Sequence, residues 1–285
     1  MVKHLLFFLI PFFVISQSND LEDSFFYKEE NGLTYASDLF YDYYYFDEEF
    51  SEDIKSEINK YIKEFEAFLV KNSSDKENVF SAYGQLISYY DVVGENEKKI
   101  ECSEKLYSLL RLDNPKIRKR LRTLNVLTTL VVNYNKKGLY NKSLELLREN
   151  NFLENPNVRF TCYNGYLNHF STLGKLFFET FKGLNENDKA LEYGMKYLLN
   201  NEYYANIMVD SLQAKYGLDK LRHAFNNLKQ NFVKHAEVRD SYFIFLDYKI
   251  TTNGTSGIYP WGGSTAFDRL KSIAFYEELK KAFNR

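Results

Sequence analysis

Apolar residues recur at helical spacing over most of this chain. From Ser51 onward, Ile54, Ile58, Tyr61, Ile62, Phe65, Phe68 and Leu69 fall at i, i+4, i+7, i+8 and i+11, which draws one apolar stripe along a helix. Ser51 suits the N-cap, and Glu52 and Asp53 suit the positive end of the helix dipole. The next helix spans Val79 to Val93, with Phe80, Tyr83, Leu86, Ile87 and Tyr90 on its face and Gly94 as its stop. Another runs from Glu97 to Leu110. Asn114 and Pro115 then read as N-cap and first position of a helix carrying Ile117, Leu121, Leu124, Leu127, Val131 and Tyr134.

Later segments continue the pattern. Tyr203–Tyr216, Leu218–Phe232 and Val238–Lys249 are mainly helical in period, although the run Ser241–Ile250 reads equally well as a strand. Residues 251–265, TTNGTSGIYPWGGST, form one long loop holding the only Trp. A closing helix, Thr265 to Phe283, opens on the capping-box order Thr265, Ala266, Phe267, Asp268.

The stretch from Leu130 to Asn150 carries a finer signal. Leu130 and Tyr134 end one helix, Gly138 permits a tight turn, and Tyr140, Ser143, Leu144 and Leu147 begin the next. This order resembles a tetratricopeptide repeat: Leu130, Tyr134, Gly138, Tyr140 and Ser143 match the family's pattern. Val131 and Asn150 stand where the family prefers small residues, and its closing Pro is displaced to Pro156. Leu86, Tyr90, Gly94 and Ile100 echo the order upstream; Phe177, Phe181, Gly183, Ala190 and Leu191 echo it downstream. The anchors Ile100, Leu144 and Leu191 are 44 and 47 residues apart, against about 34 in the family, so longer helices or loops are expected. The resemblance implies an all-α fold, a short right-handed solenoid of such helical hairpins, whose work is binding a protein or peptide. Tyr83, Tyr90, Tyr134, Tyr163 and Tyr166 are its candidate aromatic contacts, most of them expected in the core.

Composition sharpens the picture. Hydrophobic residues make up 45% and charged residues 27%, a globular balance, while 13 Gly and 4 Pro are too few for a turn-rich β-sandwich. Residues 1–16 read as a signal peptide. Lys3 and His4 precede an apolar run too short to span a membrane, and Val14 and Ser16 sit at the −3 and −1 positions of a cleavage after Ser16. The mature chain is thus expected to be exported, periplasmic or secreted, with no membrane span. Cys102 and Cys162 are either a disulfide or two buried thiols.

Charge is uneven. Between Gln17 and Asp53 twelve acidic residues face Lys28 alone, a net of −11. The run Asp38–Phe50 inside it is so aromatic that part of the segment 17–50 should pack along the body, residues 51–250. Residues 251–285 supply the loop and a capping helix.

Two candidate binding sites stand out. Lys116, Arg118, Lys119, Arg120 and Arg122 crowd the start of a helix whose dipole is already positive there, so a negative partner would relieve them. The acidic residues 17–53 are such a partner within the chain; nucleic acid is not expected for an exported protein. Tyr259 and Trp261, set among glycines, could offer a platform to a sugar or peptide, or plug the end of the stack. The competing class is therefore an all-α carbohydrate-active enzyme or glycan binder using the Trp261 loop. No HExxH, phosphate-loop or G-x-S-x-G motif occurs, and no cofactor, metal site or catalytic residue is expected.

Overall fold

The computed structural model describes residues 25–29, 31–45, 49–72, 76–112, 120–150, 163–236, 241–252, 258 and 263–284. These are mostly helical, and the chain divides into two compact units, Met1–Leu109 and Leu110–Arg285. Residues 1–16, the expected signal peptide, lie outside the described residues.

In the first unit, β1 (Phe26–Lys28) and β2 (Thr34–Ala36) pair antiparallel with Tyr27 opposite Tyr35. Asn31 Oδ1 accepts from the Leu33 N–H at 3.0 Å, and Gly32 takes the left-handed conformation that closes the turn. Then follow α1 (Asp38–Tyr45), α2 (Glu52–Lys71), α3 (Lys76–Val92) and α4 (Asn96–Leu112). The α2 helix starts as its sequence dictates, with the Ile54 N–H donating to Ser51 Oγ.

The acidic segment does more than lie along a surface. Phe25, Phe26, Phe40 and Phe50 join Ile58, Phe65, Leu86 and Tyr89 in one buried cluster. Rings meet edge to face, as Phe40 and Tyr89 do at 5.9 Å and Tyr35 and Phe65 at 5.0 Å. The Tyr89 hydroxyl donates to the Thr34 carbonyl at 3.0 Å, and Gln85 Oε1 accepts from the Ala36 N–H and the Tyr41 hydroxyl. Each fully buried aromatic contributes about 1.5–3 kcal/mol of transfer free energy. The carboxylates of Glu29, Asp38 and Asp42 meanwhile stay exposed. Alternation of ring and acid thus lets a strongly acidic stretch build core.

The second unit opens with α5 (Arg120–Lys136), α6 (Tyr140–Glu149), α7 (Tyr163–Gly183) and α8 (Asn187–Tyr197). The α5 helix packs on both α6 and α7, α6 packs on α7, and α7 packs on α8. Then come α9 (Glu202–Tyr216) and α10 (Leu218–Asn226), a three-stranded antiparallel sheet of β3 (Phe232–Val233), β4 (Tyr242–Phe245) and β5 (Tyr248–Thr251), and finally α11 (Ala266–Lys271) and α12 (Ala274–Phe283). The α9 helix lies against α8, α10 and α12, and β5 lies against α8. Missing side chains bring α7 and α8 together: a Cβ on Gly174 would sit 2.6 Å from Tyr197 Cβ, so only glycine admits that approach.

One turn recurs three times. Its first helix ends two residues beyond an aromatic, at Val92, Lys136 and Gly183 after Tyr90, Tyr134 and Phe181. The residue four beyond the aromatic has positive φ: Gly94 at 78°, Gly138 at 74° and Asn185 at 61°. The N–H of the next residue donates to the aromatic's own carbonyl: Glu95 to Tyr90 at 2.8 Å, Leu139 to Tyr134 at 2.8 Å and Glu186 to Phe181 at 2.9 Å. This is the Schellman closure, which satisfies carbonyls that a helix end leaves open. The second helix starts at Asn96, Tyr140 and Asn187, six residues beyond the aromatic in each case. A lysine two residues further on lies over the aromatic ring: Lys98 over Tyr90 at 5.5 Å, Lys142 over Tyr134 at 4.2 Å and Lys189 over Phe181 at 5.5 Å.

Several expectations change. The left-handed turn residue downstream is Asn185, not Gly183, which lies in α7 where a Cβ would meet the Tyr140 ring. Within the expected helix Val238–Lys249, residues 241–249 are not helical: Phe243, Phe245 and Ile250 are buried on one side of β4 and β5, the period-2 pattern of a strand. The strands add two small sheets to the expected all-α class. Leu218–Phe232 is helical only to Asn226. The closing helix is broken at Ser272–Ile273, because Ile273 turns extended and buried while the Phe275 N–H donates to the Leu199 carbonyl at 2.9 Å. Its expected capping box is present: Thr265 Oγ1 accepts from the Asp268 N–H at 3.1 Å, and Asp268 Oδ2 from the Thr265 N–H at 3.3 Å.

Two helical glycines should respond oppositely to alanine. A Cβ at Gly183 falls 2.1 Å from Tyr140 Cε1, whereas one at Gly84, within α3, meets nothing within 4 Å. Gly183→Ala should lower stability by about 1–3 kcal/mol through overpacking. Gly84→Ala should raise it by about 0.5–1 kcal/mol through helix propensity. Urea midpoints of the two variants against the parent chain check both signs.

Candidate functional site

The first unit carries an open cleft of ≈ 670 Å³. The α2 helix contributes Leu69 near its end, and α3 contributes Val79 and Tyr83 from its first half. The α4 helix contributes Glu101, Glu104, Lys105, Ser108 and Leu109, whose i, i+3, i+4, i+7 spacing puts the first four on one helical face. The floor is apolar and one wall is charged, with two carboxylates to one ammonium. Val70, next to Leu69 in the chain, is 84% exposed, an unusual position for an apolar residue.

The unit around this cleft is acidic. Residues 1–109 carry 22 acidic and 10 basic side chains, a net of −12, while residues 110–285 carry 17 and 27, a net of +10.

In the second unit a shallower cleft of ≈ 740 Å³ lies beside α10. Asp219, Lys220 and His223 line it from the helix, Asn227, Gln230 and Asn231 from the turns that follow, and Ile244 and Leu246 from the β4–β5 hairpin. His223 Nε2 is 3.0 Å from Asn227 Nδ2. Leu246 has a φ of 54°, a conformation that Leu rarely adopts.

The basic cluster and the Trp loop cannot be placed in this frame. Lys116, Arg118 and Lys119 lie outside the described residues, as do Tyr259 and Trp261. Arg120 and Arg122 fall in the first turn of α5, but their side chains lie outside the described residues. Tyr83 lines the first cleft, whereas Tyr90 and Tyr134 are buried at 3% and 5% exposure and serve the repeated turn. Tyr163 and Tyr166 belong to α7, with side chains outside the described residues. Sequence reasoning did not find Glu101 and Glu104. Their signal was the shared face of a helix whose other residues read as ordinary solvated charge pairs.

Among the described residues no group of His, Cys, Asp or Glu could hold a metal ion, and no helix is long and apolar enough to cross a membrane. Cys102 is a buried free thiol, and Cys162 lies outside the described residues. Burial, helped by the Glu101 and Glu66 carboxylates, pushes the Cys102 thiol up to about 12. Burial also raises the Tyr89 phenol, and burial with the Glu66 carboxylate raises that of Tyr90, whose hydroxyl donates to Glu66 Oε1 at 2.6 Å. These groups are perturbed by burial first, with neighbouring carboxylates adding to it for Cys102 and Tyr90.

No family model, curated protein or solved structure matches the chain.

The raised values carry a sign for stability. Unfolding returns Cys102 to its ordinary 9.0 and Tyr89 and Tyr90 to 10.0, so the unfolded chain releases protons first as pH rises. The stability they hold is full below about pH 9 and is lost as pH climbs towards the folded values. The urea midpoint should therefore fall steadily from pH 9 to pH 11. Tyr89→Phe should lower it at pH 7, by about 1 kcal/mol for the lost bond to Thr34, and make the alkaline fall shallower. A midpoint flat over that range contradicts the assignment.

Proposed function

We propose that the chain is an exported, non-enzymatic binding scaffold whose helical hairpins are tetratricopeptide-like units that take a protein or peptide partner. The observation that carries this reading is the turn repeated after Tyr90, Tyr134 and Phe181, with its left-handed fourth residue and its lysine over the ring. Three copies of one hairpin closure at 44- and 47-residue spacing are what a chain built by repetition would have.

Packing supports the same reading for α5 to α8. In a stack of helical hairpins each first helix touches its own partner and the first helix of the next hairpin, as α5 does with α6 and α7. Burial at two of the matching positions supports the same reading. Leu130 and Ser143 are buried at 1% and 0%, with Ser143 Oγ donating to the Val131 carbonyl at 3.4 Å. Tyr140 sits on Gly183 of the following helix, which joins one hairpin to the next. Such scaffolds bind through shape and surface chemistry and need no reacting group. The leader read from residues 1–16 would place this scaffold outside the cytoplasm.

Selection of displayed random 12-residue peptides against the immobilised full chain tests this. A scaffold should enrich a consensus, and the synthetic consensus peptide should bind the chain in solution by titration. Enrichment of no consensus, together with release of reducing sugar from a panel of polysaccharides, would replace the scaffold with a carbohydrate-active enzyme.

A further inference from the structure

The cleft beside α10 joins a polar lining to a strained turn. Its walls come from residues 219–231 and 244–246, which fall inside the unbroken described runs 163–236 and 241–252. Six of its nine lining residues are polar: Asp219, Lys220, His223, Asn227, Gln230 and Asn231. One carboxylate and one ammonium among them favour neither sign of ligand. Arg222, 4.0 Å from Asp219, reaches instead to the Phe283 carbonyl at 3.4 Å. The Asn227 amide meets His223 at 3.0 Å, but an amide has two donors and an acceptor with two lone pairs, so one bond does not exhaust it.

The turn is the second feature. Among the described residues other than glycine, only Asn185 and Leu246 have positive φ, and Asn185 closes a helix end. Phe245 pairs with Tyr248, so Leu246 and Asp247 form a two-residue hairpin turn with positive φ at its first position alone, where glycine is usual. Such strain persists only where the surroundings enforce it, and it gathers at binding sites. Here the Tyr216 hydroxyl donates to Asp247 Oδ2 at 2.7 Å, and the leucine side chain lies half-buried in the cleft wall.

We propose that this cleft binds a neutral carbohydrate, its polar side chains bonding the hydroxyl groups while Ile244 and Leu246 pack on the C–H face of a sugar ring. Sugar hydroxyls both donate and accept, which suits three amides and an imidazole. A charged ligand finds no excess of opposite charge in the lining. A peptide would need apolar anchor pockets, and three aliphatic side chains, one of them the buried Ala224, offer little. An open cleft of ≈ 740 Å³ has room for a short oligosaccharide. Leucine at the tip is then kept for contact: glycine would relieve the backbone and leave the ring without its platform. The site adds a second ligand class to the scaffold and does not depend on that reading.

Titration calorimetry of the full chain with neutral hexasaccharides of glucose, mannose, galactose, xylose and N-acetylglucosamine tests it. At least one should bind, with the same affinity at 50 and 500 mM salt. Leu246→Gly should weaken that binding about tenfold and change the urea midpoint little, because relief of the backbone offsets the lost half-buried side chain. Asn227→Ala with Gln230→Ala should also weaken it about tenfold, through lost hydrogen bonds. Far-ultraviolet circular dichroism confirms that each variant keeps its helix content. Binding of none of the hexasaccharides overturns the proposal. So does binding that both variants leave intact, because the sugar is then held elsewhere, and binding that salt abolishes, because charge then holds it. If a displayed-peptide consensus binds the parent chain but not Leu246→Gly, the cleft is the peptide's site: this assignment falls and the scaffold reading stands. If a hexasaccharide binds as described and no peptide consensus emerges, the scaffold reading falls and this one stands.

Discussion

A helix that must hand the chain to an antiparallel neighbour within three residues leaves its last carbonyls without partners. Some residue there has to take positive φ so that the following N–H groups can turn back and bond them. That constraint is met after Tyr90, Tyr134 and Phe181 by Gly94, Gly138 and Asn185. Glycine pays no steric penalty in this region, and Asn is among the side chains that tolerate it best. The register set by this turn decides which face of the second helix meets the first. Ile100, Leu144 and Leu191, each ten residues beyond the aromatic, are buried as a result. The hairpin, its buried stripe and the lysine that crosses back over the ring all depend on that one backbone conformation.

The first unit solves a second problem, how to bury enough surface beside a stretch of such strong charge. Its answer is a layered arrangement in which β1, β2 and α1 turn rings inward and carboxylates outward. Backbone groups of the hairpin are tied to α3 by Tyr89 and Gln85, two side chains one helical turn apart. Phe40 and Tyr89 are both wholly buried, so the N-terminal segment and α3 share one core. The described acidic residues Glu29, Asp38 and Asp42 are left at the surface, outside that core.

Much of the helical framework was legible in the residues. The stripe from Ile54 to Leu69 gave α2, with its cap at Ser51, and Thr265 with Asp268 gave a working capping box, because local side-chain-to-backbone bonds depend on neighbours in sequence alone. The Tyr134–Gly138–Ser143 order was visible because glycine marks its turn. The matching turn at Asn185 was hidden for the opposite reason: Gly183, two residues away, offered a more obvious marker, yet serves a close approach to Tyr140 that only tertiary packing reveals. SYFIFLDYKI was ambiguous because short apolar runs fit either period, and the sheet won when burial of Phe243, Phe245 and Ile250 required alternation. The cleft could not be read at all. Leu69, Val79, Tyr83 and Leu109 come from three helices, and only tertiary packing brings them together.

The most direct measurement of the repeated turn is a nuclear magnetic resonance experiment on the isotopically labelled chain. It reads couplings across hydrogen bonds from the N–H groups of Glu95, Leu139 and Glu186, together with the φ-dependent couplings of residues 94, 138 and 185. The account predicts a bond to the carbonyls of Tyr90, Tyr134 and Phe181 respectively, and positive φ at all three turn residues. A negative φ at Asn185, or no coupling between Glu186 and Phe181, would contradict the claim that one turn was used three times.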